Sequence, residues 1–200
     1  MRRDRTGIRT SARCRGLNQG LGNDRRQALA ILLGGGLAGA ALGAPRQTFG
    51  AATLMAPLPA DEHFMRMAIA EAARGDFPFG AVIVRDGEVL STGRNLGRTT
   101  NDPTAHGEMV AIRRFVAVRP AAELRGTTLY TSGEPCPMCM SAILWCGIGR
   151  VVFATSIGEL ATKLGQIMLT SRQVADAAPF AAIAITGGVL SAEALALFPK

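Results

Sequence analysis

Pro135-Cys136-Pro137-Met138-Cys139 is the most informative stretch of this sequence, taken together with His106-Gly107-Glu108, which begins thirty residues before the first cysteine. Two cysteines three positions apart at the start of a helix lie on one face of it, about one turn apart. The flanking prolines suit a first helical turn, where a missing N–H costs nothing. A helix N-terminus also favours negative charge and therefore thiolates. The pattern predicts two thiols that act together at the start of a helix.

The histidine and the two cysteines have the composition of a zinc site. Catalytic zinc sites use three protein ligands and leave the fourth position to water, whereas structural sites use four protein ligands. We therefore predict that His106, Cys136 and Cys139 bind one Zn²⁺ per chain in a catalytic site. Glu108 is too close to His106 along the chain to bind the same ion easily, but it can take a proton from the water and return it.

A Cys-x-x-Cys pair alone also occurs in disulfide-bonded and thioredoxin-like redox proteins. That alternative expects the pair soon after a strand, and a predicted strand at Thr127–Thr131 partly meets the condition. It leaves the His-x-Glu sequence unexplained. Because His-x-Glu followed by Pro-Cys-x-x-Cys is the motif of zinc-dependent base deaminases, a thiol redox protein is the more remote alternative.

The net charge of the chain is concentrated in its first 52 residues. They hold nine Arg and two Asp, a charge of +7, whereas residues 53–200 hold thirteen Lys plus Arg and thirteen Asp plus Glu, a charge of zero. A neutral domain lacks the overall positive charge of proteins that bind nucleic-acid backbones, which argues against a nucleic-acid partner but leaves a local patch open. We interpret residues 1–52 as a leader and residues 53–200 as the functional domain.

The leader resembles an export signal. Arg25 and Arg26 directly precede an uncharged run of Ala, Leu, Ile and Gly over residues 28–44, and small residues follow at Gly50 and Ala52. A charged region, an apolar run and a small-residue site form a secretory signal peptide, and the paired arginines resemble a twin-arginine signal. We predict export to the periplasm with cleavage near Ala52. The run is short and glycine-rich for a spanning helix, so no stable membrane span is expected in the mature protein.

The domain alternates between helix-like and strand-like periodicity, which favours an α/β layer architecture. The predicted helices begin at Asp61 as N-cap, at Thr104 or Ala105, at Pro137, near Gly158 and at Ser191. The predicted strands are Phe79–Val84 and Val89–Gly93, joined by a tight turn at Asp86-Gly87, then Thr127–Thr131, Val151–Ala154 and a segment near Ala181–Thr186.

Three stretches carry a family resemblance: Phe77–Val84, Asn101–Glu108 and Thr128–Cys139. On these motifs the chain resembles the cytidine deaminase-like superfamily, and within it the branch of bacterial guanine deaminases and tRNA adenosine deaminases. The resemblance covers about residues 61–155. It implies a three-layer α/β/α fold with a central mixed sheet, and it implies hydrolytic removal of an exocyclic amine as ammonia.

The resemblance also implies roles for individual residues. The zinc ligands and the glutamate derived above match the metal ligands and proton shuttle of the family. Asn95 matches an asparagine that hydrogen-bonds the base, and Phe79 matches an aromatic residue that lines the pocket. Gly107 replaces a commoner alanine, and its N–H is expected to face the base. The carbonyl of Ser132 is expected to accept a hydrogen bond from the leaving amine.

The resemblance does not decide which substrate the protein deaminates. Guanine deaminases of this branch carry an acidic residue after the position of Thr155, where this chain offers only Glu159. We expect a nucleobase or nucleoside as substrate and prefer a free, guanine-like purine. The alternative is a tRNA-specific adenosine deaminase, which would suit a cytoplasmic protein translated from Met55. The family often forms homodimers, and nothing in the sequence establishes one here.

Overall fold

The computed structural model describes residues 52–198. The predicted leader, with its arginine pair and its apolar run, therefore lies outside the described residues, apart from Ala52. Within the described residues, no helix is both long enough and apolar enough to cross a lipid bilayer.

The described chain alternates between short strands and helices. The strands are β1 (Thr53–Leu54), β2 (Gly80–Arg85), β3 (Glu88–Arg94), β4 (Thr128–Gly133), β5 (Arg150–Thr155) and β6 (Ala184–Thr186). The helices are α1 (Asp61–Ala72), α2 (Gly107–Val118), α3 (Pro137–Trp145), α4 (Ile157–Leu160), α5 (Ser171–Asp176) and α6 (Ser191–Leu195), with a 3₁₀ turn at Ala121–Leu124.

The strands form one mixed sheet in the order β1-β6-β5-β4-β2-β3. Strand β2 pairs antiparallel with both β3 and β4, whereas β4, β5, β6 and β1 pair in parallel. Parallel neighbours need a crossover, and α3 supplies it between β4 and β5. The expected central mixed sheet is confirmed.

Helices cover both faces of this sheet. Alternate residues of a strand point to opposite faces, so one strand can contribute to two different core clusters. In β2, Ala81 and Ile83 join the core cluster that includes residues of α2, α3 and α5. Val82 and Val84 join the other cluster, which includes residues of α1 and α6. These strand residues are buried on both sides, as in a sheet enclosed between two helical layers. The three-layer α/β/α prediction is therefore confirmed.

Two predicted helix starts were wrong. Asp61 is the first residue of α1 and not its N-cap; the N-cap is Ala60, and the Asp61 side chain is fully buried. Helix α2 begins at Gly107, with His106 as its extended N-cap residue. The reason for the later start is local: the Asp102 carboxylate accepts the N–H of Thr104 at 2.8 Å, which holds the preceding residues in a turn.

The hairpin and the metal-loop helix were predicted well. Asp86 and Gly87 both have positive φ, at 51° and 79°, which is the turn geometry that joins tightly paired strands. Helix α3 has the predicted bounds, Pro137–Trp145. The prediction missed β1 and α5, which comprise two and six residues.

Candidate active site

The three predicted metal ligands converge at the starts of two helices. His106 is the N-cap residue of α2, Cys136 is the N-cap residue of α3, and Cys139 lies in the first turn of α3. The His106 Nδ1 atom lies 3.6 Å from Cys136 Sγ and 3.5 Å from Cys139 Sγ. The three candidate ligand atoms all lie within 4.8 Å of one another. The fold thus brings together residues that are thirty positions apart in sequence.

These distances fit a tetrahedral zinc ion. Zinc–sulfur bonds of about 2.3 Å and zinc–nitrogen bonds of about 2.0 Å, at the tetrahedral angle, put the two atoms about 3.5 Å apart. His106 and Cys136 line a cavity, whereas Cys139 is fully buried. Two thiols and one imidazole are also the ligands that zinc prefers. The residues therefore fit a zinc ion that three protein ligands would hold at the edge of the cavity.

The two thiols differ in acidity. A hydrogen bond from the Cys139 thiol, together with the His106 ring, lowers the pKa of Cys136 to about 4. The same hydrogen bond and burial raise the pKa of Cys139 above the ordinary thiol value. The surroundings of Cys136 therefore favour its thiolate, the form in which a cysteine binds a metal ion.

Glu108 lies beside the ligands in the first turn of α2. Its side chain is buried, with 4% of the residue exposed, and it lines the same cavity. The Thr131 hydroxyl lies 3.2 Å from Glu108 Oε1 and 3.1 Å from the Gly133 carbonyl oxygen, so its single proton serves one acceptor at a time. Burial is the main cause that raises the pKa of Glu108. A buried carboxyl group of this kind is suited to accept and release a proton.

The cavity has a volume of about 740 Å³. Its lining includes His106, Cys136 and Glu108, and the remaining lining side chains are mainly apolar or amides. The wall residues include Phe77, Phe79, Asn95, Arg98, Glu134 and Gln166. A concave, largely apolar pocket with a few convergent polar groups is the usual form of a small-molecule site.

Asn95 and Phe79, the two expected pocket residues, both line the cavity. The Asn95 Oδ1 atom accepts the N–H of Gly97 at 3.0 Å, which leaves the amide NH₂ group available to a ligand. The Asn95 N–H donates to the Phe79 carbonyl oxygen at 2.8 Å, so the two residues are held together. The Phe79 ring packs edge-on against Phe198 at 5.4 Å between ring centroids.

Gly107 and Ser132 are buried next to the site but do not line the cavity. A Cβ atom at Gly107 would lie 2.9 Å from the Phe79 carbonyl oxygen, so the start of β2 approaches α2 too closely for alanine without a shift. The Ser132 hydroxyl accepts the N–H of Gly80 at 3.0 Å. Both residues pack the start of β2 against the metal site, and their substrate contacts stay predictions.

The sequence offered Glu159 as the acidic residue after Thr155 that would contact the base, and the structure does not place it in the cavity. Glu159 does not line the cavity, because its carboxylate accepts the Ser156 N–H at 2.8 Å and the Ser191 hydroxyl at 2.9 Å. Glu134 does line it, and its two oxygens accept the N–H groups of Ile157 and Ser171 at 2.9 and 2.8 Å. The sequence contained one indication, since Glu134 stands two residues before Cys136.

Other parts of the wall were also missed by the sequence analysis. Leu164–Ile167, between α4 and α5, form one side of the cavity without regular secondary structure. At the rim, the Arg98 guanidinium lies 4.6 Å from the centroid of the Phe77 ring. Arg98 is the one cationic side chain among the described lining residues. Both regions are loops, so no periodic pattern pointed to them.

Comparisons with known proteins agree with this geometry. The model of the cytidine and deoxycytidylate deaminase zinc-binding region matches residues 58–155. The chain is 46% identical over 98 residues to the guanine deaminase of Bacillus subtilis (strain 168). It is 39% identical over 97 residues to the tRNA-specific adenosine deaminase of Aquifex aeolicus (strain VF5). These alignments cover 46% of this chain and 63% and 64% of those proteins, so the chain spans somewhat less than two thirds of their lengths.

One solved structure, from a study of A-to-I editing by tRNA:A34 deaminases, is similar over a longer stretch. It is 30% identical with a TM-score of 0.57, and the match covers 68% of this chain and 99% of the other.

Proposed function

The chain belongs to the family of cytidine and deoxycytidylate deaminase zinc-binding domains, and we propose from this premise that it removes an exocyclic amine hydrolytically from a free, guanine-like purine base. The observation that supports the proposal most directly is the shared cavity. Three zinc ligands and a buried glutamate line or adjoin one pocket of about 740 Å³. The same groups would serve any member of the family, so the choice of substrate depends on the walls.

The chain's own residues can perform each proton transfer of this reaction. Zinc, when held by His106, Cys136 and Cys139, lowers the pKa of a water molecule towards neutrality. Glu108 takes a proton from the attacking water and delivers it to the ring nitrogen beside the carbon under attack. Glu108 then carries the remaining hydroxyl proton to the amine, the C–N bond breaks, and ammonia leaves a carbonyl product. The Asn95 NH₂ group would hold the ring in place by donating to an acceptor on it.

The charge around the cavity supports a small substrate over a tRNA. Arg98 is the one cation among the described lining residues. Proteins that hold nucleic-acid backbones use several cations, because each neutralised phosphate adds to affinity. Residues 53–200 also carry equal numbers of positive and negative side chains. A planar base needs only the aromatic wall and the amide donors that this pocket offers.

Ammonia release tests the proposal and names the substrate. The zinc-loaded protein is incubated with guanine, adenine, cytosine, their nucleosides and a tRNA anticodon stem-loop, with the Glu108→Gln variant as control. Release from a free purine that disappears in the control is the expected result. Release from the RNA alone would instead support the tRNA-specific adenosine deaminase. No release from any compound by zinc-loaded protein would contradict the proposal.

We also propose that residues 1–52 direct export and that the domain begins upstream of Met55. In the described residues, Thr53–Leu54 pair with Ala184–Ile185, and the Met55 N–H donates to the Ile185 carbonyl oxygen at 2.9 Å. Translation from Met55 would remove this edge strand and leave β6 unpaired on one side. Fractionation of cells that express the full chain, with Arg25→Lys and Arg26→Lys together as the matched variant, tests export. Equal periplasmic amounts of both proteins would contradict a twin-arginine route.

A further inference from the structure

One wall of the cavity is a segment without regular secondary structure. This segment, residues 161–170, joins the end of α4 to the start of α5 and is named here the wall segment. Four of its residues, Leu164–Ile167, line the cavity. Its backbone N–H groups donate only to its own residues and to the flanking helices, so the positions of those helices determine where it lies.

One carboxylate binds the first residue of each helix that flanks the wall segment. Glu134 Oε2 accepts the N–H of Ile157, the first residue of α4, and Oε1 accepts the N–H of Ser171, the first residue of α5. Glu134 is itself held in place, because it is buried and its N–H donates to the Thr155 carbonyl oxygen at 2.7 Å. The residue that precedes the metal loop therefore also helps to position the two helices between which the wall segment runs.

The wall segment presents one polar side chain to the cavity. Gln166 is half-buried and lines the pocket, between the backbone of Gly165 and the apolar side chain of Ile167. Its amide makes no hydrogen bond to any other described residue, whereas the Asn95 amide oxygen accepts the Gly97 N–H. A primary amide offers a donor and an acceptor side by side. A half-buried amide without a protein partner is satisfied by water or by a ligand.

We propose that Gln166 is a specificity-determining residue that hydrogen-bonds the substrate ring, and that Glu134 is the positioning residue that holds it there. This inference rests on the proposed function and extends it to the choice of substrate. The amide matches a ring edge with an adjacent donor and acceptor, such as the N–H and C=O groups of a lactam. A free purine of the guanine type carries such an edge. Asn95 and Gln166 would then contact the same ring from different walls.

The first test is the Gln166→Leu variant, which keeps much of the side-chain volume and removes both hydrogen-bonding groups. We expect KM for the best purine to rise roughly threefold to tenfold, with kcat within about twofold, because a lost hydrogen bond of this size weakens ground-state and transition-state binding alike. Zinc content is expected to stay at one per chain. Lys163→Ala, an exposed change in the same segment, is the matched control and should leave KM unchanged.

The second test asks whether Glu134 acts through Gln166. Glu134→Gln replaces one acceptor oxygen by an NH₂ group, which leaves one of the two helix N–H groups without an acceptor. We expect it to raise KM in the same direction as Gln166→Leu while zinc content is retained. In the double variant, KM should lie within about twofold of the Gln166→Leu value, because a residue that acts through another adds nothing once that contact is lost.

The outcomes separate this inference from the proposed function. A KM for Gln166→Leu within about twofold of wild type would overturn the role of Gln166 without contradicting the proposed deaminase activity. If the KM increases of the two single variants multiplied in the double variant, the role of Glu134 would be overturned. Loss of zinc from Glu134→Gln would overturn it as well. If the wild type releases no ammonia, calorimetric binding of 8-azaguanine, which carries the lactam edge, to zinc-loaded protein takes the place of KM. Binding that weakens in Gln166→Leu would support the inference, and equal binding or none would overturn it.

Discussion

The two faces of the sheet each bury a carboxylate, and the surroundings shift the pKa values of the two groups in opposite directions. Tyr130 and Thr131 are consecutive residues of β4, so their side chains point to opposite faces. The Tyr130 hydroxyl donates to Asp61 Oδ1 at 3.0 Å, and the Thr131 hydroxyl lies 3.2 Å from Glu108 Oε1. Both carboxylates are buried. The faces differ in what else surrounds each carboxylate.

Asp61 is fully satisfied by its neighbours. Arg150 donates to both of its oxygens at 2.8 and 2.7 Å, and the Leu58 N–H donates to Oδ2 at 2.7 Å. Burial alone would raise the pKa of Asp61, but the hydrogen bonds from Arg150, Leu58 and Tyr130 outweigh it, so the pKa is lowered. This carboxylate is stabilised in its charged form, which suits a structural ion pair.

Glu108 has one shared hydroxyl and no salt-bridge partner among the described residues. Burial raises the pKa of Glu108, the reverse of the shift at Asp61. A buried carboxyl group that no cation neutralises can change its proton at smaller cost than Asp61, which Arg150 holds in its charged form. Burial of an acid therefore indicates chemistry only where its charge is not already neutralised.

Glu108→Gln should give the largest effect on the chemistry. The amide keeps the size of the side chain but cannot transfer a proton, so kcat should fall by about 10²–10⁴-fold. Ammonia release at saturating substrate measures kcat, and zinc content and the unfolding midpoint show whether the site and fold persist. A fall of less than about tenfold with zinc retained would assign the proton transfers to another group.

Asp61→Ala should give the largest effect on stability and little on the chemistry. Removal of one partner leaves Arg150 buried and uncompensated, which costs about 3–5 kcal/mol in free energy of unfolding. We expect the unfolding temperature to fall by on the order of 10 °C, while kcat measured below that temperature stays within about twofold. The double variant Asp61→Ala/Arg150→Met is the matched control and should recover part of the loss. A large fall in kcat in folded Asp61→Ala protein would break the distinction between the two faces.

The lowered pKa of Asp61 predicts acid sensitivity of the fold. The folded-state pKa lies below the ordinary value of 3.8, so the unfolded chain takes up this proton first as the pH falls. The stabilisation is therefore fully present above pH 3.8 and is lost as the pH falls through the folded-state pKa. The contribution grows by about 1.4 kcal/mol for every tenfold difference between the acid dissociation constants of the folded and unfolded states.

Urea unfolding between pH 6 and pH 3 measures this contribution. The difference in unfolding free energy between wild type and Asp61→Asn should be constant at the upper end of the range and shrink below about pH 4. The comparison with the variant cancels the other carboxyl groups. A difference that does not change with pH would show that the Asp61 pKa is the same in the folded and unfolded states.

The sequence predicted a role for Glu108 but misjudged the role of Asp61, and the difference has a physical cause. Glu108 belongs to a local motif, in which it stands two positions after a metal ligand, and the chemistry of zinc restricts what such a motif can be. Asp61 pairs with Arg150, 89 positions away, and nothing local distinguishes this aspartate from an ordinary helix cap. Local patterns predict caps and motifs, whereas partners across the sheet depend on the completed fold.

The same reason explains why the wall after Thr155 was predicted poorly. Helices α4 and α5 have four and six residues, too few to show a clear hydrophobic period. Their starts are held by Glu134, a contact of 23 and 37 positions in sequence. Strands β2 and β4, which have six residues each and continuous apolar or alternating patterns, were predicted to within about two residues.

The smallest expected effects come from the Tyr130 and Thr131 hydroxyls of β4, which serve the two carboxylates from opposite faces of the sheet. Tyr130→Phe removes one donor of Asp61 and should lower the free energy of unfolding by about 0.5–1.5 kcal/mol, because Arg150 and Leu58 still satisfy the carboxylate. Its kcat should be unchanged. Thr131→Val has nearly the same shape as threonine and removes the donor of Glu108. It should lower kcat by roughly threefold to tenfold, with a smaller change in stability than Tyr130→Phe.

Both variants are measured side by side, by urea unfolding and by ammonia release at saturating substrate. Because the two residues point to opposite faces, Tyr130→Phe should change the free energy of unfolding and Thr131→Val should change kcat. If Tyr130→Phe lowered kcat as much as Thr131→Val, the strand would transmit changes from one face to the other. If Thr131→Val altered stability alone, the hydroxyl would belong with the Gly133 carbonyl oxygen, its other acceptor at 3.1 Å, and Glu108 would act without a protein hydrogen bond.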